Sequence, residues 1–322
     1  MPVSLRTLAD DLDLSVSTVA RSLRGDPAIR AQTRARVLAT AQAHGYRPSG
    51  AARALVSGRS QLIGLHLRSL QGFYVGMALR LERLAAMDGY STILSTRETP
   101  PTPWRSDGEI CLGHLTPAQE TAFAGTPVVT IAPHPRVDYV AVDLQTPTVA
   151  AVRHLAASGL TAIAHLGPGV DSDGPCGDPL QREPRQAGYG ATMADLGLTP
   201  CWIPAVDGSR AGGHAALQRH LATQRCPQAL LCHNDENAIG AYRALREAGI
   251  RVPQQCALIG CDGIDDLHYL DCRITSIAQP LDAAARTLWA VLTARIRDPH
   301  LPQQRHVLPA ALQLGDSTRI DP

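Results

Sequence analysis

Apolar residues at the start of the chain recur with the spacing of two short helices. The first apolar stripe follows the spacing i, i+3, i+4 and i+7 and consists of Leu5, Leu8, Ala9 and Leu12. Ser4 can cap this helix, Asp13 is tolerated in a left-handed turn, and Ser15 can cap the helix that follows. The second helix has Val19 and Leu23 on one face. This pattern predicts a helix-turn-helix.

The outer face of the second helix offers small polar side chains and one arginine. The residues expected to meet DNA here are Ser15, Val16, Ser17, Thr18 and Arg21. Short side chains allow close approach to the major groove, and Arg21 can reach a guanine edge or a phosphate. A third helix over 31–43, with Val37, Leu38 and Ala41 inward, ends at Gly45. A helical hairpin at the start of a chain can also serve packing alone.

From Gln61 onward, short apolar runs alternate with helical patterns. The predicted strands lie in LIGLHL, YSTIL, EICLGHL, PVVTIA, YVAVDL, TAIAHLG, CWIPAV, QALLC, CALIGCD and RITSIAQP. Alternating strands and helices predict parallel sheets with right-handed crossovers, and the number of strands favours two doubly wound α/β lobes. The crossover 96–108 is rich in proline and is too irregular for a helix. We therefore expect the first lobe to lack one flanking helix, which would expose sheet surface or alter a dimer contact.

Charge is distributed unevenly along the 322 residues. Residues 1–60 carry nine arginines and four acidic residues, whereas the remainder carries 21 arginines and 25 acidic residues. A basic first segment on a mildly acidic body fits a polyanionic partner such as DNA. All basic residues are arginine and none is lysine, which we interpret as a bias of genomic composition.

Several functional classes lack support in the sequence. The eight cysteines form no CxxC pair and no His/Cys ligand spacing, so neither a metal site nor a disulfide framework is expected. No cofactor-binding GxGxxG, P-loop or GxSxG motif occurs in a suitable context, and an enzyme is not favoured. There is no signal segment and no apolar run of ~20 residues. We expect a reduced, cytoplasmic protein without membrane contact.

Two ordered segments, TLADDLDLSVSTVARSL and TRARVLATAQAHGYRPSGAARALVSGRSQLIGL, resemble the lactose-repressor family of bacterial transcription regulators, and the resemblance extends over the chain. It implies a head at 1–46, a hinge helix or linker at 47–60, and a periplasmic-binding-protein-like effector and dimerisation domain at 61–322. Lobe 1 would comprise about 61–157 and 280–300, and lobe 2 about 158–275 and 302–322. The chain would cross between lobes near 157–161, 274–280 and 299–303.

The segment 49–57 corresponds to the hinge helix of that family, which folds against its dimer mate in the DNA minor groove. Ala52 occupies the position that the family pattern gives to an alanine, and Leu55 matches the leucine that inserts between base pairs. A linker leucine without a partner is the alternative. Ser49 replaces the asparagine usual in the family, which puts one phosphate or backbone contact in doubt.

The resemblance also assigns effector-binding residues to the cleft between the lobes, where loops follow the carboxyl ends of strands. They are Phe73, Tyr74, Asp143, Arg185, Asn234 and Asp262. Arg185 matches the arginine of an RxxGY motif and Asp262 the first aspartate of a G-[FY]-D-D motif, of which the aromatic and the second aspartate are missing. Arg185 could instead lie on the surface, Phe73 could pack on its lobe, and Asp143 or Asp235 could cap helices. The loop 168–184 could cover the cleft or be mobile.

Together these features predict a sequence-specific repressor controlled by a small molecule. Its expected partners are a near-palindromic operator, a second copy of the chain, and an effector that is a sugar or a sugar derivative. A solute-binding receptor without enzymatic activity is the alternative, because its lobes would look the same. Such a receptor would have no use for residues 1–60, so DNA binding separates the two interpretations.

Overall fold

The computed structural model describes residues 3–23, 25–46, 59–97, 106–168 and 183–319. The chain divides into two compact units, residues 1–60 and 61–322. Ala52 and Leu55, with the rest of the hinge segment 47–58, lie outside the described residues, as do 98–105 and most of the loop 168–184. Within the described ranges, no helix has the length and apolar character needed to cross a bilayer.

The described part of the first unit contains three helices, and their boundaries follow from local capping. They are α1 (Leu5–Leu12), α2 (Val16–Leu23) and α3 (Ala31–Ala43). Ser4 forms a capping box with Thr7, and Asp13 ends α1 in the left-handed conformation with φ +54°. The Ser15 hydroxyl accepts the Thr18 backbone N–H at 3.1 Å and so caps α2. The predicted helix-turn-helix is confirmed.

A small apolar core joins the three helices. Its buried members are Leu8, Ala9, Leu12, Val19, Val37 and Ala41. The prediction that Leu38 faces inward is wrong, since 49% of this residue is exposed. Val37 and Ala41 are four residues apart and share the buried side of α3, whereas Leu38 lies one residue further around the helix.

The described residues of the second unit form two six-stranded sheets. The strands are β1 (Leu62–Leu67), β2 (Ser91–Ser95), β3 (Gly108–Leu112), β4 (Val128–Thr130), β5 (Asp138–Asp143), β6 (Ile163–Pro168), β7 (Cys201–Ala205), β8 (Ala229–Cys232), β9 (Ala257–Asp262), β10 (Thr275–Ala278), β11 (Arg305–Pro309) and β12 (Ala311–Gln313). Sheet 1 has the order β11-β5-β4-β3-β1-β2 and is entirely parallel. Sheet 2 has the order β12-β10-β9-β8-β6-β7 and only its edge strand β12 is antiparallel. The predicted pair of α/β lobes is confirmed; lobe 1 contains sheet 1 and lobe 2 contains sheet 2.

Helices cover the sheets in layers. They are α4 (Gly72–Met87), α5 (Pro117–Ala122), α6 (Gln145–Ala157), α7 (Pro184–Asp195), α8 (Arg210–Thr223), α9 (Asp235–Glu247) and α10 (Leu281–Arg297). One core of lobe 1 lies between sheet 1 and the pair α4 and α10. Lobe 2 has two cores, one beneath α6 and α7 and the other beneath α8 and α9. Sheet 2 is therefore covered on both faces, as parallel sheets require.

The chain crosses between the lobes at places that differ from the prediction. The first crossing follows β5, because Ala151, Val152 and Leu155 of α6 pack in the core of lobe 2. The predicted crossing at 157–161 assigned this helix to lobe 1 and is wrong. The second crossing lies between β10 and α10 and falls within the predicted range 274–280. The third lies between β11 and β12, not at 299–303, because β11 pairs with β5 in sheet 1.

The second face of sheet 1 has an unusual polar composition. Alternation along β1 sends Ile63, Leu65 and Leu67 to the core beneath α4 and sends His66 to the opposite face. There His66 Nε2 lies 2.7 Å from Glu109 Oε2, and both side chains are buried. The described parts of the crossover, 96–97 and 106–107, contain no helix. The sheet that this proline-rich crossover connects therefore has a buried polar pair on its second face.

Candidate functional site

The outer face of the helix-turn-helix presents the residues that the sequence predicts for DNA contact. Val16, Ser17 and Ser15 are exposed, and Thr18 is half-buried. Ser15 and Thr18 are joined by a hydroxyl–hydroxyl hydrogen bond of 2.8 Å in addition to the helix cap. Val16 is 44% exposed although it is apolar, so the helix offers a small methyl surface beside two hydroxyls. Such a surface suits the thymine methyl groups and base edges of a major groove.

Arg21 lies on the same helix, but an acidic neighbour positions its guanidinium. Its Nε donates to Asp26 Oδ2 at 2.8 Å, while 42% of the arginine side chain stays exposed. The ion pair orients the side chain along the surface of the head. Arg21 can therefore contact DNA only with the part of the guanidinium that Asp26 leaves accessible.

In lobe 2, Arg185 begins α7 and is anchored on several sides. Its Nε donates to Glu183 Oε1 at 2.7 Å, and its Nη1 donates to the His233 carbonyl at 2.6 Å. Glu183 also caps α7 by accepting the backbone N–H groups of Arg185 and Gln186. Burial acts to lower the pKa of Arg185, but Glu183, Cys261 and Asp262 together keep it raised, so the guanidinium stays charged. The surface alternative for Arg185 is thereby excluded, since only 15% of its side chain is exposed.

The same arginine determines the protonation of His233. Arg185 Nη2 lies 2.9 Å from His233 Nε2, and an arginine can only donate a hydrogen bond. His233 Nε2 must therefore accept, so the proton is on Nδ1 and the ring is neutral. Burial and the positive charge of Arg185 lower the pKa of His233 well below its ordinary value, which agrees with this assignment. Glu183 and His233 were not predicted from the sequence; an acidic residue before Pro184 was the available signal for the first.

Asp262, at the end of β9, is a buried carboxyl in an unfavourable backbone conformation. Its φ is +130°, a region that residues other than glycine rarely adopt. Gln279 Nε2 donates to Asp262 Oδ1 at 2.7 Å. Burial, reinforced by the charge of Asp235, raises the pKa of Asp262 to about 8, although Arg185 and Gln279 act in the opposite direction. At neutral pH the carboxyl is therefore mostly protonated and can donate a hydrogen bond as well as accept one.

The neighbouring residues Asn234 and Asp235 have structural partners. Asn234 caps α9 through its Oδ1, 2.7 Å from the Asn237 N–H, and its Nδ2 donates to the Gly208 carbonyl. Asp235 instead accepts the backbone N–H groups that follow Asp262 and the hydroxyl of Ser276. The suggestion that Asp235 caps the helix is wrong, because the cap is Asn234. A ligand contact by Asn234 stays a prediction.

The lobe 1 residues predicted for the cleft have different environments. Phe73 lies in the hydrophobic core of lobe 1, which is the packing alternative, and its ring meets that of Tyr74 edge-on at 5.4 Å. Burial raises the pKa of Tyr74, which also senses Arg68, Asp262 and Arg185 and therefore lies near the Arg185 side of the cleft. Asp143 Oδ1 accepts the N–H groups at the start of α6, so this residue has a capping role. A ligand contact by any of the three stays a prediction.

Lobe 1 places two basic residues at its strand ends that were not predicted from the sequence. Arg68 directly follows β1 and is exposed, and His114 follows β3. Burial and the positive charge of Arg68 lower the pKa of His114, whereas Glu183 of lobe 2 acts to raise it. His114 therefore lies within electrostatic range of lobe 2. A single charged residue directly after the apolar run LIGLHL was the sequence signal for Arg68.

Metal coordination has no support in this arrangement. Across the residues that the structure describes, no group of three or more His, Cys, Asp or Glu side chains is placed to hold a metal ion. The buried His66–Glu109 pair consists of only two such side chains.

Comparison with known proteins identifies both units. Residues 4–49 match the family described as bacterial regulatory proteins, lacI family, and residues 152–318 match the periplasmic binding protein-like domain. The second match alone covers half of the chain. The chain belongs to the lacI family of regulatory proteins. Its likeness to relatives in the family extends over nearly the full length.

Two relatives illustrate this likeness. Catabolite control protein A of Priestia megaterium is 25% identical over 99% of this chain and 100% of its own length. The ribose operon repressor of Escherichia coli K12 is 28% identical over 98% of this chain and 99% of its own. The crystal structure of the lac repressor dimer bound to operator and the anti-inducer ONPF superposes with a TM-score of 0.82, at 23% identity and 99% coverage of both chains. At that identity, the superposition shows that this lacI-family chain shares the fold.

Proposed function

We propose that this lacI-family protein is a DNA-binding transcription repressor whose operator affinity is set by a small effector bound between the two lobes. The observation that carries the proposal is the combination, in one chain, of a helix-turn-helix with an open polar face and a two-lobed domain with Arg185 and Asp262 converging at strand ends. DNA contact is assigned to Ser15, Val16, Ser17, Thr18, Arg21, Ala52 and Leu55.

The mechanism we propose uses two copies of the chain. Two heads related by a twofold axis read two half-sites, which makes the operator near-palindromic. Leu55 from each copy enters the minor groove between the half-sites and opens a base step. Closure of the lobes around the effector changes the spacing of the heads. A ligand can shift this equilibrium only by its difference in affinity for the two states.

The chemistry of the cleft supports an effector that carries hydroxyl groups. Glu183 and His233 hold the charged Arg185 in a fixed orientation, and protonated Asp262 can both donate and accept. Sugars present donors and acceptors on adjacent carbons, and such pairs match this arrangement. The ribose operon repressor among the relatives carries the name of a sugar operon, which supports the same ligand class. We assign effector contact to Tyr74, Asp143, Arg185, Asn234 and Asp262, and give Phe73 a supporting position behind Tyr74.

Selection of bound sequences from a pool of random duplexes tests the DNA-binding half of the proposal. Purified full-length protein should enrich a near-palindromic sequence, and Arg21→Ala should weaken binding to it by roughly tenfold, since a specific arginine contact is worth about 1–3 kcal/mol. Arg153→Ala, an exposed arginine on α6 of lobe 2, is the matched control. Failure to enrich any sequence would refute the repressor and leave a ligand-binding receptor.

A further inference from the structure

A cavity of about 170 Å³ lies in lobe 1 where β1, β2 and β3 end. Its lining includes Arg68 after β1, Arg97 after β2 and His114 after β3, with His66 and Cys111 at its base. The carboxyl ends of neighbouring parallel strands are where α/β folds place ligands. The volume exceeds what a single water molecule needs.

The two arginines at this cavity have no acidic partner among the residues that the structure describes. Among the described residues, neither the Arg68 nor the Arg97 guanidinium takes part in a hydrogen bond or an ion pair. The side chain of Arg68 instead packs against Gly113. A Cβ added at Gly113 would lie 2.7 Å from Cδ of Arg68. The glycine thus gives Arg68 its position over the strand ends. Two unpaired guanidinium groups at one concave site attract an anion.

Acidic groups on the surrounding elements are already engaged. Among the described residues, Glu109 beside the cavity pairs with His66, and Glu183, which acts on His114, pairs with Arg185. Within the described part of the chain, Arg68 and Arg97 therefore give the cavity an excess of positive charge. In lobe 2, the charges of Arg185 and Glu183 offset each other, and the mostly protonated Asp262 adds little.

A buried polar atom gives an independent sign of a missing partner. His66 lines the cavity and is 7% exposed, and its Nε2 is used by Glu109. Its Nδ1 is buried without a hydrogen-bond partner in the described structure. Buried polar atoms are normally satisfied, so this unpaired atom on a side chain that lines the cavity is an exception among the described residues.

Electrostatic interactions connect residues of this cavity with residues of the proposed effector site. Arg68 acts on Tyr74, which also senses Arg185 and Asp262, and His114 senses Glu183 across the cleft. The loop that runs from Arg68 to Gly72 also reaches lobe 2, since a Cβ added at Gly72 would lie 2.9 Å from Oε1 of Glu236. A ligand held on the lobe 2 side of the cleft can therefore extend toward Arg68. The group that it presents there meets two guanidinium groups.

We infer that this cavity is an oxyanion subsite of the effector cleft, so that the effector is a small molecule with a phosphate or carboxylate group, held by Arg68 and Arg97. The inference rests on the proposed function and narrows its ligand class from neutral sugars to anionic ones, such as sugar phosphates or sugar acids. Inorganic phosphate shares this chemistry, and the experiment distinguishes it from an effector group.

The first measurement uses inorganic phosphate and the full-length protein. Thermal unfolding is followed against phosphate concentration, with chloride at equal ionic strength as reference, for the wild type, Arg68→Ala and Arg83→Ala. Arg83 is an exposed arginine on α4 outside the cavity and serves as the matched control. We expect phosphate to stabilise the wild type and Arg83→Ala, with at least a tenfold weaker Kd in Arg68→Ala. Absence of a phosphate-specific shift, or an equal shift in Arg68→Ala, would overturn the subsite.

The second measurement separates an effector group from free phosphate. Binding is compared for ribose and ribose 5-phosphate, and for glucose and glucose 6-phosphate. At least one phosphorylated sugar should bind tenfold more tightly than both its neutral partner and inorganic phosphate, and Arg68→Ala should remove this preference. Binding no tighter than inorganic phosphate, or a preference for the neutral sugar, would overturn the assignment to the effector.

Operator titration without ligand tests the repressor proposal separately from the anion-site proposal. A protein that binds phosphate through Arg68 but selects no operator would contradict the repressor and keep the anion site. A protein that selects an operator yet shows no Arg68-dependent anion binding would contradict only the anion site.

Discussion

Among individual residues, the protonation of three side chains determines what the lobe 2 side of the cleft offers a ligand. Arg185 stays charged, His233 is neutral because it accepts from Arg185, and Asp262 is mostly protonated at neutral pH. The sequence motifs pointed to Arg185 and Asp262, but they could not show how these groups are held. Glu183, His233 and Gln279 belong to other segments, and only the fold brings them into contact.

Asp262 should make stability depend on pH. Its pKa is about 8 in the folded state and 3.8 as an ordinary aspartate. Between these values the folded protein keeps a proton that the unfolded chain has lost, so this carboxyl lowers stability progressively as the pH rises. Asp262→Asn cannot ionise, and its free energy of unfolding should exceed that of the wild type by more at about pH 8 than at about pH 5.

Urea unfolding at several pH values checks this expectation. The exposed aspartate Asp195 on α7 provides the control variant Asp195→Asn, which should follow the wild-type pH profile. Contributions from His233 are common to all three proteins and cancel in the comparison. If the free energies of unfolding of Asp262→Asn and of the wild type depend on pH in the same way, the Asp262 carboxyl is ionised in the folded protein over this pH range, which would contradict the expectation.

Arg185→Ala should abolish the response to effector and leave operator binding in place. The substitution removes the donors that hold Glu183 and His233, and loss of a charged hydrogen-bond partner costs about 1.5–3 kcal/mol, enough to weaken micromolar recognition by at least tenfold. Release of operator by a compound active on the wild type is the measurement, with Arg153→Ala as control. A normal response in Arg185→Ala would place this residue outside the effector site.

Among the elements, those with strong local signals were predictable from sequence. The capping serines and the left-handed Asp13 fix α1 and α2, and the apolar runs fix most strands. The sequence could not show that α6 belongs to lobe 2, because its apolar stripe fits either sheet equally well. The edge strands β11 and β12 escaped notice, since their side chains alternate between half-buried and exposed and lack an apolar run.

Ser15→Ala should loosen α2 specifically. The hydroxyl caps the helix by accepting the Thr18 N–H, and loss of such a cap costs about 1 kcal/mol. Hydrogen exchange of the α2 amides in the full-length protein should accelerate by roughly fivefold, as a difference of 1 kcal/mol implies. Ser17→Ala on the same helix removes an exposed hydroxyl that caps nothing and is the control. Equal exchange in the two variants would show that Ser15 does not hold the helix.

In the whole molecule, the basic and the mildly acidic parts of the sequence coincide with the two compact units. The arginine-rich residues 1–60 form one compact unit, and the mildly acidic remainder forms the other. The resemblance to the lactose-repressor family predicted this organisation, and the matches over 4–49 and 152–318 confirm the family. The polar face of sheet 1 and the grouping of arginines at its strand ends depend on contacts between distant segments, so neither was predicted from the sequence.

Affinity for DNA should fall steeply with salt. Nine arginines lie in the first sixty residues, and a dimer presents twice that number to the phosphates. If half of them engage, the slope of log affinity against log salt should be about −8, since each neutralised phosphate contributes about −0.9. Titrations of one duplex from low to moderate salt give this slope. A slope near zero would contradict electrostatic engagement of the head.

The central claim is that effector binding in one unit controls sequence-specific DNA binding by the other. Its most direct test is a titration of the selected operator and of a scrambled duplex by full-length protein at one salt concentration, with and without a compound that stabilises the fold. The operator should bind at least about a thousandfold more tightly than the scrambled duplex. The compound should change only the operator affinity, by roughly 5- to 150-fold. Equal affinity for the two duplexes, or an operator affinity that the compound leaves unchanged, would contradict the account.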